Sequence, residues 1–217
     1  MEEVITYLNS IRREYAKQEL DVKSVNQSPY KQLAVWLEDA VNAQVIDPNA
    51  MILSTVDKEN KPTSRVVLLR GMSENGIIFY TNYDSQKSKE IQNNNYVAIN
   101  FFWLELERQI RIEGVVSKVD DKISDEYFAQ RPRESQIGAW ASLQSEEMGS
   151  RKELEDKIKE IEEKFKGKEV SRPPFWGGYE IDCNYFEFWQ GRPSRLHDRI
   201  IYKKEETNSW KISRLYP

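Results

Sequence analysis

The sequence contains very few residues that could bind a metal ion or form a disulfide. Cys183 is the only cysteine and His197 the only histidine among 217 residues. One chain therefore cannot form an internal disulfide, and it cannot assemble a Cys/His metal cluster by itself. A lone cysteine is most simply a small, buried apolar residue. We therefore predict no metal site.

The sequence also lacks long apolar runs and an excess of positive charge. No stretch approaches the ~18 consecutive apolar residues of a membrane span, and the segment MEEVITYLNSIRREY has no apolar core of the signal-peptide kind. The formal net charge is −4, and acidic and basic residues are mixed, whereas nucleic-acid binders normally show a basic excess. These features predict a soluble, cytoplasmic protein that binds neither nucleic acid nor a membrane.

Local patterns predict a mixture of helices and short strands. Residues 2–19 have the three- and four-residue apolar spacing of an amphipathic helix, and a second helix should begin at Ser28, with Pro29 in its first position. From residue 50 onward, short segments rich in β-branched and aromatic residues alternate with turn-forming connectors. Further helices are predicted at 84–94, 121–145 and 146–169, and the last third predicts strands at 175–182, 185–191, 195–204 and 209–217.

This alternation predicts an α+β fold built around a β-barrel with flanking helices. No strand leads into a G-x-G-x-x-G helix, which disfavours a dinucleotide-binding sheet. The length favours a single domain over 1–217, with an N-terminal helical segment at 1–48 and a barrel with inserted helices at 49–217.

The segment SRVVLLRG (64–71) has an arginine near each end of an apolar run. In a regular strand Arg65 and Arg70 point to opposite faces, and the apolar residues between them predict burial on both sides. Buried arginines need anionic partners. These partners are either ordinary ion-pair carboxylates or a ligand.

Two further segments carry groups that suit a phosphate. In YTNYDSQKSKE, Ser85 and Lys87 lie near the start of a helix, which indicates either an anion site or a capped surface helix. In YFAQRPRESQIGAWASLQS, the spacing of four aligns Tyr127, Arg131 and Ser135 unless Pro132 divides the helix in two, the form that we expect. Either way the three side chains can donate to one phosphate, the alternative being a solvated face.

In FEFWQGRPSRLHDRIIY, Arg195, His197 and Arg199 alternate, which predicts that they project from one face of a strand. Two flanking cations should lower the pKa of His197, because like charges disfavour its protonation. The residue is then either a neutral hydrogen-bonding imidazole beside an anionic ligand or a structural histidine.

Taken together, these segments closely resemble the pyridoxine (pyridoxamine) 5′-phosphate oxidase family. The resemblance runs from RREY at 12–15 to WKISRLYP at the end of the chain. Its most specific strings are RVVLLR, FYTN, RPRESQIGAWAS, FWGGY, EFWQG and RLHDR, in the order and spacing of the family.

The resemblance implies an FMN-binding split β-barrel that works as a homodimer, with FMN in a cleft between protomers. The residues implied at the cofactor are Arg65, Val66, Leu68, Arg70, Tyr80, Thr81, Lys87, Gln109, Gln144, Ser145, Trp189 and Arg199. The residues implied at the substrate phosphate are Arg70, Tyr127, Arg131 and Ser135. Arg195 and His197 would lie over the pyridine ring as the catalytic pair, and Arg12 and Tyr15 belong to a segment that closes over the substrate.

The implied reaction is the FMN-dependent oxidation of pyridoxine 5′-phosphate and pyridoxamine 5′-phosphate to pyridoxal 5′-phosphate, with O2 as acceptor and H2O2 as product. Two alternatives are a split-barrel FMN reductase with another substrate and a non-catalytic carrier of pyridoxal phosphate or FMN. The chain departs from the family at two positions. Arg70 replaces the usual lysine, and Gln86 replaces the usual arginine, which alters the expected phosphate contacts.

Overall fold

The computed structural model describes residues 2–10 and 15–217. The helices are α1 (Glu2–Ser10), α2 (Pro29–Asn42), α3 (Gln86–Asn93), α4 (Asp121–Ala129), α5 (Arg133–Ala141) and α6 (Arg151–Lys164). The strands are β1 (Ala50–Val56), β2 (Pro62–Leu68), β3 (Gly71–Ser73), β4 (Gly76–Asn82), β5 (Tyr96–Trp103), β6 (Arg108–Lys118), β7 (Trp176–Gln190), β8 (Asp198–Lys204) and β9 (Trp210–Leu215). The strand pairs of known register are antiparallel. This combination confirms the α+β class.

The chain divides into two compact units. Of the described residues, the terminal unit takes those up to Pro48 together with Phe101–Arg111 and Tyr185–Pro217, and the central unit takes Asn49–Asn100 and Ile112–Asn184. The single domain expected over 1–217 stays a prediction. None of the helices in the described residues has the length and apolar content needed to cross a bilayer.

In the terminal unit, α2 begins as predicted. The Ser28 hydroxyl accepts a hydrogen bond from the Lys31 amide at 3.4 Å, and Pro29 occupies the first turn. The helix predicted over 2–19 is wrong in its last part, since α1 ends at Ser10 and residues 15–19 are not helical. The amides of Ala16 and Lys17 donate instead to a carboxylate oxygen of Glu107, at 3.0 and 3.2 Å. A partner that is remote in sequence has replaced the helical hydrogen bonds.

In the central unit the strand order is β2-β1-β5-β6-β7-β4-β3, which leaves β2 at an edge. The predicted burial of β2 on both sides is wrong, because Val66 is 65% exposed and Leu68 36% exposed. An edge strand has a neighbour on only one side, and the described residues leave one face of β2 uncovered.

Pro132 divides the helical region as expected, because proline lacks the amide that a continuous helix would need. Helix α4 ends at Ala129 and α5 begins at Arg133. The side-chain amide of Gln136 donates to the Phe128 carbonyl at 2.9 Å, which connects the two helices across the break.

The long segment predicted as two strands at 175–182 and 185–191 forms one strand, β7. No proline or glycine separates the two halves, so nothing local interrupts the extended backbone. Strand β7 pairs with β4 through its first half, within the central unit, and with β8 through its second half, within the terminal unit.

Candidate active site

A cavity of about 510 Å3 in the central unit is lined by ten of the residues predicted from the sequence. These are Val66, Leu68, Arg70, Tyr80, Thr81, Lys87, Tyr127, Arg131, Ser135 and Gln144. They come from four separate parts of the chain: the edge strand β2 with the residues after it, the end of β4 with the start of α3, the α4–α5 region, and the segment after α5. Their convergence on one cavity makes it the candidate site.

Lys87 lies in the first turn of α3 and is only 7% exposed. Its ammonium group donates to Thr81 Oγ1, Ser85 Oγ and Gln144 Oε1 at 3.1, 3.1 and 3.0 Å, and all three acceptors are neutral. Burial, followed by the nearby charge of Arg65, lowers the pKa of Lys87 to about 8. No carboxylate among the described residues lies within ion-pair distance of it. The charge of Glu90 acts in the opposite direction but does not outweigh burial, and Glu90 is paired with Arg65. A buried cation that forms no ion pair suits an anionic ligand.

Arg65 forms an ion pair with Glu90, so for this residue the structure favours the ordinary ion-pair alternative, and it does not line the cavity. Its Nη2 lies 3.1 Å from Glu90 Oε2 and 2.6 Å from Thr63 Oγ1. Burial alone would raise the pKa of Glu90, but the hydrogen bonds that its carboxylate accepts outweigh burial and lower it. The donors are Thr55, Thr63, Gln86 and Arg65.

Arg131 and Arg70 line the cavity, and neither forms an ion pair with a described residue. Arg131 Nη1 is buried without a hydrogen-bond partner in the described chain. Burial is the main cause that lowers the pKa of Arg131, and the charge of Arg70 contributes in the same direction. Tyr127 and Ser135 present hydroxyl groups to the same cavity. Two guanidinium groups and two hydroxyl groups line this part of the cavity, and one of the guanidinium nitrogens is buried without a partner. This set of hydrogen-bond donors fits a phosphate.

Three aromatic rings form one wall of the cavity. The rings of Tyr80 and Tyr127 stack at 3.7 Å with 5° between their planes. The ring of Trp176 lies nearly parallel to them, with centroids 5.6 Å from Tyr80 and 6.2 Å from Tyr127. Trp176 was not among the predicted site residues. The sequence offered only its membership of the FWGGY string, because a tryptophan in a strand is normally interpreted as core.

In the terminal unit, three of the predicted residues form a ring cluster. The Trp189 and His197 rings are 4.5 Å apart, and the Tyr15 ring packs edge-on against both, at 5.9 and 5.8 Å. Gly191 permits this approach, since a Cβ there would lie 2.8 Å from Tyr15. Glu107, another residue that sequence reasoning missed, holds the backbone next to Tyr15 through the Ala16 amide.

His197 is held as a hydrogen-bond acceptor on one side. The Arg192 amide donates to its Nδ1 at 3.1 Å, so the neutral ring carries its proton on Nε2. The pKa of His197 is lowered as predicted, but burial is the first cause and the Arg195 charge the second.

The expected alternation of Arg195, His197 and Arg199 on one strand face is wrong. Strand β8 begins only at Asp198, and Arg195 lies in a 3₁₀ turn, Pro193–Arg195. Arg195 itself has φ of 62°, a left-handed conformation that non-glycine residues adopt at a cost. Such strain often accompanies functional positions. The turn leaves the Arg195 side chain exposed to solvent.

The remaining predicted residues have individual environments. Arg199 Nε lies 2.7 Å from the buried Glu187 carboxylate, which also binds Arg111 Nη1 at 3.1 Å. Gln109 is half-buried in β6. Ser145 is exposed and has φ of 75°. Arg12 lies outside the described residues. Among the described residues, no group of three or more acidic, histidine or cysteine side chains could hold a metal ion.

Two family models match most of the chain. Residues 37–165 match the model described as pyridoxamine 5'-phosphate oxidase, and residues 176–217 match the model described as the pyridoxine 5'-phosphate oxidase C-terminal dimerisation region. The chain belongs to the pyridoxine/pyridoxamine 5'-phosphate oxidase family. This confirms the resemblance, and with it the prediction that the chain is an enzyme of the oxidoreductase class.

Curated relatives match over nearly their whole length. A pyridoxine/pyridoxamine 5'-phosphate oxidase of Cytophaga hutchinsonii is 50% identical over 98% of this chain and 99% of its own. One from Rubrobacter xylanophilus is 48% identical over 97% and 96%. Family membership therefore rests on the full chain and not on a shared fragment.

Solved structures confirm the split-barrel fold. PhzG from Burkholderia lata 383, in complex with tetrahydrophenazine-1-carboxylic acid, superposes with a TM-score of 0.86 at 28% identity, over 93% of this chain and 100% of that one. A pyridoxamine 5'-phosphate oxidase-related, FMN binding protein from Nostoc punctiforme has a TM-score of 0.69 at 15% identity, over 89% and 100%, which bears on the fold alone.

Proposed function

We propose that this chain oxidises pyridoxine 5′-phosphate and pyridoxamine 5′-phosphate to pyridoxal 5′-phosphate, with FMN as cofactor, O2 as acceptor and H2O2 as product. The observation that carries the proposal is the cavity of the central unit, where Lys87 and Arg131 are cations without carboxylate partners among the described residues. A phosphorylated cofactor and a phosphorylated substrate would supply the two missing anions.

The residues of the cavity fit FMN. Lys87 offers a buried ammonium group to the cofactor phosphate, and Thr81 and Gln144 already orient it. The exposed Val66 and Leu68 of the edge strand offer apolar surface to a flavin ring. When bound, FMN would supply the hydride acceptor that no amino-acid side chain can provide.

The substrate phosphate would be held by Arg70, Tyr127, Arg131 and Ser135. This anchoring would fix the pyridine ring so that its C4′ carbon is oriented for oxidation. An alcohol at C4′ yields the aldehyde directly, and an amine yields an imine that water hydrolyses to the aldehyde.

For the terminal unit, the proposal rests on family resemblance. We assign Arg195 and His197 to the orientation of the pyridine ring, with the proton on His197 Nε2 available as a hydrogen-bond donor. Gln109, Trp189 and Arg199 are assigned to the cofactor. A homodimer is proposed because residues 176–217 match a dimerisation region, and a cytoplasmic location stays a prediction from the sequence.

An aerobic assay of the FMN-loaded protein tests the proposal. Pyridoxal 5′-phosphate and peroxide are followed together with each substrate, and equal amounts of the two products are expected. Arg131→Met should raise KM strongly. Arg133→Met serves as the matched control, because Arg133 binds the backbone carbonyls of Phe165 and Lys168 and does not line the cavity.

No product from either substrate, with FMN bound, would contradict the oxidase and favour a reductase or a carrier. Because the chain is similar to PhzG, whose structure contains tetrahydrophenazine-1-carboxylic acid, a partly reduced heterocycle is the first alternative substrate to try in that case. Binding of pyridoxal 5′-phosphate without any turnover would favour the carrier.

A further inference from the structure

We infer that Trp176 is a positioning residue for the phosphate seat, and that its ring holds the Arg131 guanidinium in the orientation that selects phosphorylated substrates. The inference rests on the proposed function, because it assigns Arg131 to the substrate phosphate. Trp176 was not among the site residues predicted from the sequence.

The geometry places a cation on an aromatic face inside the cavity. Arg131 Cζ lies 4.5 Å from the centroid of the Trp176 ring and 5.7 Å from that of Phe128. Both Arg131 and Trp176 line the cavity, and Trp176 is 7% exposed. Tryptophan gives the strongest cation–π attraction of the aromatic side chains, and desolvation strengthens it.

The Trp176 ring is itself fixed from several directions. Phe128 packs edge-on against it at 5.2 Å. The Trp176 carbonyl accepts a hydrogen bond from Arg172 Nη1 at 2.6 Å, and Arg172 also pairs with Asp121 and Asp125 of α4. The backbone at Trp176 is thereby tied to the same helix that carries Tyr127, and the ring itself is held by its packing against Phe128.

Without this ring, Arg131 would lose its principal contact with a described side chain. Its Nη1 is buried and unpartnered, so the aromatic face is what compensates in part for the lost water. A freed guanidinium would turn toward solvent, and its fork would no longer meet a phosphate in a fixed geometry. Tyr127, whose ring packs parallel to Trp176, would lose a neighbour at the same time.

The test uses a probe that binds but cannot be oxidised. 4-Deoxypyridoxine 5′-phosphate has a methyl group at C4 and so carries neither alcohol nor amine there. Its affinity for the FMN-loaded protein is measured by calorimetry, beside that of unphosphorylated 4-deoxypyridoxine. Trp176→Leu should lower the affinity for the phosphorylated probe by about 10- to 30-fold, and Trp176→Phe should lower it by about threefold. The unphosphorylated probe and FMN should be affected little by either variant.

Trp140→Leu is the matched control. Trp140 packs against the same apolar cluster as Trp176 and carries Lys164 over its ring at 4.4 Å, but it does not line the cavity. A double-mutant cycle adds a readout that general destabilisation would not give. In an Arg131→Met background, Trp176→Leu should cause no further loss of affinity for the phosphorylated probe, because the guanidinium that the ring would hold is already absent.

Each outcome decides. If Trp176→Phe and Trp176→Leu both keep wild-type affinity for the phosphorylated probe, or if Trp140→Leu weakens it equally, the inference is overturned while the proposed function stands. An additive effect in the Arg131→Met background overturns it as well. If the wild-type protein does not prefer the phosphorylated probe, the phosphate seat and the inference fail together. Selective binding without oxidase activity would leave the inference intact and remove the oxidase.

Discussion

Replacement of Lys87 by methionine should stabilise the cofactor-free protein while it weakens FMN binding. Methionine keeps an unbranched apolar stem of similar length but carries no charge. Lys87 is buried, has only neutral hydrogen-bond acceptors, and has a pKa lowered to about 8. The folded protein therefore disfavours its charge, and removal of that charge relieves the protein of a cost.

The size of the effect follows from the pKa. Lowering the pKa from 10.5 to about 8 corresponds to about 3 kcal/mol, since one pKa unit is about 1.4 kcal/mol. The lost hydrogen bonds offset part of this, so we expect a gain of about 1 to 3 kcal/mol in the free energy of unfolding at pH 7. For a chain of this length that is roughly 2 to 4 °C in Tm per kcal/mol.

The difference in stability between Lys87→Met and the wild type should depend on pH. Below about pH 8 the lysine is protonated in both the folded and the unfolded state, and the wild type bears the full cost. As the pH rises from 8 toward 10.5, the folded state releases the proton first, and the cost disappears. The stabilities of the wild type and Lys87→Met should therefore converge over that interval, when measured by urea unfolding of the cofactor-free proteins.

FMN binding should respond in the opposite direction. The phosphate favours protonated Lys87, so wild-type affinity should fall by up to about tenfold per pH unit above pH 8. Lys87→Met should lose about 30- to 100-fold at pH 7, from the loss of a charge-assisted hydrogen bond, as measured by quenching of flavin fluorescence. Lys89→Met is the control, because Lys89 forms an exposed pair with Glu146 and should change neither quantity much. A clear loss of stability in Lys87→Met at pH 7 with unchanged FMN affinity would refute the reasoning.

The other substitutions test the remaining parts of the site. Arg195→Leu should lower kcat by about 100-fold through loss of ring orientation, whereas Arg151→Leu, at an exposed helix start, should not; equal effects in steady-state assays would contradict the assignment. Glu187→Gln should lower FMN affinity about tenfold, because Arg199 loses its carboxylate partner. The KM for substrate should change little, and a change in KM without a change in FMN affinity would contradict this prediction. Gln86→Arg should increase FMN affinity about threefold at low salt and less at high salt, because salt screens the added charge. Fluorescence titrations at two ionic strengths measure this, and a gain in affinity that is the same at both would contradict the prediction.

The sequence predicted those parts of the site whose geometry is local. Ser85 and Lys87 lie at the start of a helix that follows a strand, as predicted. Pro132 marked a break because proline in a helix interior removes a hydrogen bond whatever the surrounding fold. In each case the determining interaction lies within a few residues of the feature.

The parts that the sequence did not predict depend on partners far along the chain. The turn at Arg195 replaced an expected strand, since Ser194 and Arg195 both adopt positive φ without a glycine or asparagine to indicate it. The helix expected up to residue 19 stopped early because Glu107 takes the amides that would have continued it. The apolar pattern of β2 could not distinguish a covered strand from an edge strand with an exposed apolar face.

The charges of the central cavity argue for anionic ligands independently of any family resemblance. Arg65 is partly buried and has Glu90 as an ion-pair partner, so the chain does supply a carboxylate to one of the cations near the cavity. Lys87 and Arg131 form no ion pair with a carboxylate among the described residues, and burial lowers the pKa of each, against the smaller opposing effect of Glu90 on Lys87. A carboxylate beside either one would stabilise the empty protein but would compete with a phosphate for the same donors. Two buried cations that form no ion pair therefore support the proposal that this cavity binds anionic ligands.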